Sequence, residues 1–146
     1  MTMTPPSTGS TRASMLAQAD PEALATVAEE CLATAPSPDV HHGPDVGTVV
    51  LTVPEPVETT RFHLGEVLVT RCQLEHRGVT TWAMPMGDDR AATLAAAICD
   101  AEAEAGGPAA DAVDRLVAET RGHLAAARAE EWTELEPTIV AFEEMD

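Results

Sequence analysis

The dipeptide Arg77-Gly78 separates two runs of β-forming residues, and it constrains this chain more than any other feature. Before it, from about Gly65 to His76, the residues Leu68, Thr70, Cys72 and Leu74 recur at every second position. That period of two predicts the core face of a strand. After it, Val79 to Met84 is a second β run, so the short connection predicts an antiparallel hairpin. Pro85 cannot donate to a ladder and puts the later strand at a sheet edge. Upstream, Thr48-Val49-Val50-Leu51-Thr52-Val53 opens at Gly47 as a further strand and is stopped by Pro54 and Pro56.

Helices flank these strands. Asp20 before Pro21 and Glu22 is a helix start, an acidic cap with proline at the first helical position. The helix is predicted to run to about Cys31–Ala33, with Leu24, Val27, Ala28, Cys31 and Leu32 on its apolar face. A shorter helical piece, about Thr11 to Ala19, precedes it, and an irregular stretch from Ala35 through Pro44 follows. Asp88 or Asp89 caps the next helix, which ends at Gly106-Gly107 and carries a stripe of Ala91, Leu94, Ala95, Ile98, Ala101 and Ala105. A long helix starts near Pro108 with Val113, Leu116, Val117, Thr120, Leu124 and Ala127 on one face. Gly122 weakens it by ~1 kcal/mol relative to alanine. After Pro137 the run Thr138 to Phe142 is predicted to return as a short final strand. The expected fold is α+β: N-terminal helices, a mainly antiparallel sheet with a central hairpin, and two C-terminal helices. One domain over residues 11–146 follows a disordered tail, residues 1–10.

The charge balance narrows the partners. Twenty-five acids face eight arginines, with no lysine, for a net charge of −17. Such a surface repels phosphate backbones, which argues against nucleic acid. It also suits a high-salt cytoplasm, where ions screen the self-repulsion; GC-rich codon bias explains it equally well. Leu, Val, Ile and Phe number 11, 13, 2 and 2, while alanine numbers 26, so each core residue buries little surface. A chain with so thin a core gains from a partner that covers apolar area. No apolar run approaches the ~20 residues of a membrane span, and Met1 to Ser10 lacks the pattern of a secretory signal. Cys31, Cys72 and Cys99, odd in number and in apolar surroundings, read as free buried thiols of a cytoplasmic protein.

The second strand and its entry read Phe62-His63-Leu64-Gly65-Glu66-Val67-Leu68-Val69-Thr70-Arg71-Cys72. This resembles the signature of the G subunit of the bacterial carbon–phosphorus lyase system, the PhnG family, whose members carry Phe-Asn-Leu-Gly-Glu leading into Val-Thr-Arg-Cys. The likeness continues through Gly78, through Trp82 where the family tends to have Tyr, and to Gly87, Asp89 and Asp100, and extends upstream to Gly47. It implies assembly with H-, I- and J-type subunits into a core complex. That complex replaces the adenine of ATP with methylphosphonate at the ribose carbon, giving ribose 1-methylphosphonate 5-triphosphate. Nucleosidase chemistry in the family is attributed to the I subunit, so the resemblance implies an accessory subunit; no cofactor or metal bound by this chain is expected. Members usually carry Arg and then Gly-Gly-Thr-Gly before the Phe. Here Pro54 and Pro56-Val57-Glu58-Thr59 stand there, while Asp88 and Ala92 replace a later Arg and His. These changes remove positive charge and glycine backbone from places where a phosphate could be contacted.

The candidate subunit-interface or substrate-side residues are therefore Phe62, Leu64, Gly65, Glu66, Thr70, Arg71 and Trp82. Arg71, on the less apolar strand face, calls for an anion: a carboxylate such as Glu66 or Glu75, a partner's carboxylate, or a substrate phosphate. Glu66 either accepts backbone amides or takes part in chemistry, but no second carboxylate is placed by spacing to make an acid/base pair. Gly65 before it allows a bulge or a close backbone approach. Trp82 suits a core or an interface. Cys72 and His76 are four apart on a strand, roughly 13 Å at strand rise, too far to share one metal ion. Two functions follow: a G-like structural subunit, or a divergent adaptor on the same fold.

Overall fold

The structure, a computed structural model, describes residues 8–139. Four α-helices and three strands follow the order α1 (Thr8–Leu16), α2 (Pro21–Ala33), β1 (Asp39–Pro54), β2 (Arg61–His76), β3 (Val79–Ala83), α3 (Arg90–Ala105) and α4 (Ala110–Leu135), with a 3₁₀ turn at Glu136–Thr138. The sheet is antiparallel in the order β1-β2-β3, so β3 is an edge strand as Pro85 demands. Arg77 and Gly78 both take positive φ, 53° and 76°, the two-residue hairpin turn whose twist matches its strands.

Helix starts follow the local chemistry of the sequence. Asp20 accepts the amide of Ala23 at 3.0 Å and Asp89 that of Ala92 at 2.8 Å, each satisfying a donor that the first helical turn leaves free. Gly106 ends α3 in the left-handed conformation. Helix α3 is the centre of the molecule, packed against α1, α2, α4 and all three strands. Its alanines make this possible, because small side chains let neighbours approach from several sides. Thr93, Ala96, Ala97, Cys99 and Glu102 are buried as well as Ala95, Ile98 and Ala101 of the predicted stripe, whereas Leu94 is half-buried and Ala91 and Ala105, at its two ends, are exposed.

Three strand expectations are corrected. First, β1 begins at Asp39, not Gly47: register shifts between Val40 and His42 and between His42 and Asp45 absorb the Gly43-Pro44 step that reads as a breaker. Gly43 takes φ +79°, and a Cβ there would collide with the Arg71 carbonyl, so only glycine fits. Second, β2 begins at Arg61. Third, Thr138 lies in the 3₁₀ turn and Ile139 caps it, while residues 140–142 of the predicted final strand fall outside the described residues. The first helix begins at Thr8, ahead of the predicted Thr11.

The core lies between α3 and the lower half of the sheet. Cys31, Cys72, Leu74, Cys99 and Val113 are fully enclosed. All three cysteines are free and buried, Cys31 on α2 and Cys99 on α3. The neighbouring Cys31 and burial push the Cys99 thiol far up. With a core this short of large side chains, self-repulsion at −17 should weigh heavily at low salt. The melting midpoint is expected to rise steadily from 0.01 M salt, where the Debye length is ~30 Å, to about 1 M, where it is ~3 Å. A flat midpoint across that series would remove the high-salt reading.

Candidate functional site

The pairing of β1 with β2 extends well past the core. Cross-strand partners share a face. Val46 stands opposite Thr70, Thr48 opposite Leu68, Val49 opposite Val67 and Val50 opposite Glu66. Burial on β2 begins only at Val69 and Thr70. From there towards Arg61 the two strands form a ribbon on which most large apolar residues are exposed, Val53 and Val67 being half-buried. Val49, Val50, Leu51, Phe62, Leu64 and Leu68 are each between 41 and 58 % exposed. Leu68, expected on the core face, keeps that orientation but lacks a core to meet.

Leu64 is the most exposed of these six because of the backbone. Leu51 pairs with Gly65 while Thr52 pairs with His63, so Leu64 is an extra residue without a partner on β1. Such a bulge re-aims its side chain. The beginning of β2 therefore holds Phe62, Leu64, Gly65 and Glu66 together on an uncovered ribbon, all exposed. Arg71 is exposed too, opposite Asp45, and makes no ion pair among the described residues, with Glu66, Glu75 or any other carboxylate. Glu66 likewise accepts no backbone amide among them.

Thr70 differs from its neighbours. It is enclosed, its hydroxyl donates to the Gly87 carbonyl at 2.8 Å, and its amide donates to Pro85 at 3.1 Å. It fastens the segment after β3 to the sheet and belongs to the fold. Trp82, on β3 opposite Gln73, is 60 % exposed rather than in the core. With Met84 and Met86 it lines a groove of about 930 Å³ whose other wall is α1, at Ala13 and Ala17. Arg12 stands in that groove between Asp100 at 2.6 Å and Glu104 at 2.7 Å, both carboxylates of α3.

The turn joining β1 to β2 carries its own anion. Glu55 accepts the amide of Val57 at 2.9 Å and that of Glu58 at 2.6 Å. These amides hold the Glu55 carboxyl below its ordinary range. Two donors of residues 54–59 are thus already occupied by a carboxylate of the chain itself.

A buried polar cluster closes the other end of the hairpin. The enclosed Glu102 carboxylate accepts from Arg77 Nε at 2.5 Å and the Ala109 amide at 3.0 Å, and lies 3.1 Å from His76 Nε2. Arg77 also donates to the hydroxyl of Thr34 at 2.7 Å, so the cluster joins β2, α2, α3 and the start of α4. The sequence offered one signal of it: Glu102 follows Ile98 by four residues, which puts an acid on the apolar face of α3. His76 is held here, whereas His63 is exposed on the ribbon, and no three potential metal ligands converge among the described residues.

Burial raises the Glu102 pKa, but the Ala109 amide, Arg77 and His76 together outweigh it and leave the carboxyl below its ordinary 4.5. A depressed carboxyl contributes stability that is complete above the unfolded value and lost as pH falls through the folded one. Urea midpoints should therefore hold down to about pH 5 and fall at more acid pH, more steeply than in Glu102→Gln. Parallel acid profiles for the two proteins would contradict this.

The described residues define an α+β protein whose antiparallel hairpin ribbon carries uncovered apolar residues. The family model of the phosphonate metabolism protein PhnG matches residues 8–146, and the chain belongs to that family. Its work therefore lies in phosphonate metabolism. No curated protein matches the chain. Among the described residues, no helix is long and apolar enough to cross a membrane.

Proposed function

We propose that this chain is a non-catalytic G-type subunit of a carbon–phosphorus lyase core complex. It joins H-, I- and J-type subunits and assists the transfer of methylphosphonate to the ribose C1 of ATP, with release of adenine. The observation that carries this reading is the uncovered β1–β2 ribbon. A two-stranded ribbon is marginal in water by itself, and contiguous exposed apolar area of this kind is rare on monomers. A partner that covers Phe62, Leu64 and Leu68 removes both costs. Arg71, exposed beside the ribbon, offers a planar five-donor cation to a carboxylate on the covering surface.

The second reading is a divergent adaptor that has left phosphonate work. The turn amides of Val57 and Glu58 already hold the Glu55 carboxylate. That arrangement supports an architectural part over substrate contact in either reading. The purified chain alone is expected to release no adenine from ATP, with or without methylphosphonate, above a heat-killed control. Mixed with H-, I- and J-type subunits it should co-elute with them and be required for their adenine release. Activity of the single chain would overturn the non-catalytic assignment, and failure to co-elute would favour the adaptor.

A further inference from the structure

Helix α4 outruns the body of the protein. Its first half buries Val113, Leu116, Val117 and Thr120 against the core. Beyond Thr120 every residue to Leu135 is exposed except the half-buried Leu124. Gly122 marks the junction, where helix propensity drops. The free half is not uniformly polar. Leu124, Arg128, Trp132 and Leu135 follow one another at spacings of four, four and three, which places them along one side of the helix. Trp132 is 58 % and Leu135 49 % exposed. Glu131 and Glu136 lie to either side of that stripe.

We infer that residues 124–135 of α4 are a second docking element, distinct from the β1–β2 ribbon, which inserts Trp132 and Leu135 into an apolar groove with a basic rim on another subunit of the assembly. The chemistry selects this occupant. Helix-in-groove recognition uses anchors at this spacing, and tryptophan and arginine are among the residue types that most often carry interface energy. The flanking glutamates require positive charge across the contact. A second copy of this chain, itself at −17, presents the wrong sign. With a ribbon and a helix each engaged, the chain would bridge two surfaces of its assembly.

The inference rests on the reading of the chain as a subunit of a complex, and one experiment separates the two. Binding of the full-length chain to an H-, I- and J-type subcomplex is measured for the wild type, for Trp132→Ala with Leu135→Ala, and for Ala126→Gln on the far side of the helix. Circular dichroism confirms that all three are folded, as expected for changes at exposed positions. The double variant should bind at least tenfold more weakly, and Ala126→Gln within twofold of wild type. Glu131→Arg with Glu136→Arg should also weaken binding, and more so at low salt, where the rim attraction is strongest. Wild-type binding with an unaffected double variant would overturn the helix element alone. No binding by the wild type would overturn the subunit reading and this inference together.

Discussion

Glu102→Ala is expected to lower the unfolding free energy by about 3–5 kcal/mol, the usual cost of removing one member of a buried ion pair. The carboxylate is wholly enclosed and satisfies the Arg77 guanidinium and the Ala109 amide while meeting His76. Without it, Ala109 loses its acceptor at the start of α4, and Arg77 retains only Thr34. The Arg77 side chain is 20 % exposed and recovers some water, which places the loss towards the lower end of that range. Natural domains hold only ~5–15 kcal/mol in all, and this one has a thin core, so the variant should be partly unfolded near 37 °C. Urea unfolding followed by circular dichroism measures the difference. A loss under about 1 kcal/mol would mean that the cluster is incidental to the fold.

The larger effect on function is expected from Leu64→Asp combined with Leu68→Asp. Both side chains are exposed in the free chain, so circular dichroism and melting should change little. Burying each leucine at an interface is worth ~1.5–3 kcal/mol, before any penalty for burying the new carboxylates. Each 1.4 kcal/mol is about tenfold in Kd, so affinity for the other core subunits should fall more than a hundredfold. An unfolded double variant would instead show that the ribbon serves stability, and undiminished binding would show that its faces stay in water.

What the sequence revealed of this fold was its punctuation. Arg77-Gly78, Asp20-Pro21, Asp89 and Gly106 each act through chemistry confined to a few residues, and each stands where that chemistry puts it. The start of β1 was hidden because Gly43-Pro44 reads as a stop, and only the pairing with β2 shows that two register shifts accommodate it. The ribbon was hidden for a different reason. Leu68 alternates with its neighbours as a core residue does, and periodicity reports orientation without saying whether anything lies above the face. That is decided by where α3 and its packing end, a tertiary fact. Of the site residues, Phe62, Leu64, Gly65, Glu66 and Arg71 come together on the uncovered ribbon and the neighbouring sheet surface. Trp82 lines a separate groove beside β3, and Thr70 belongs to the scaffold. The Glu102 cluster needed the approach of β2, α2, α3 and α4 to one point, which no local pattern encodes.

The most direct test of the ribbon as a docking surface is hydroxyl-radical footprinting of the chain, free and assembled with H-, I- and J-type subunits. Phe62 and Leu64 are exposed side chains in the free protein and should be oxidised readily there. In the assembly their oxidation should fall severalfold, while Val57, on the turn beyond the ribbon and 85 % exposed, serves as the internal comparison. Equal oxidation of Phe62 and Leu64 in the two states, in a sample where the chain co-elutes with its partners, would contradict the assignment of this face to subunit contact.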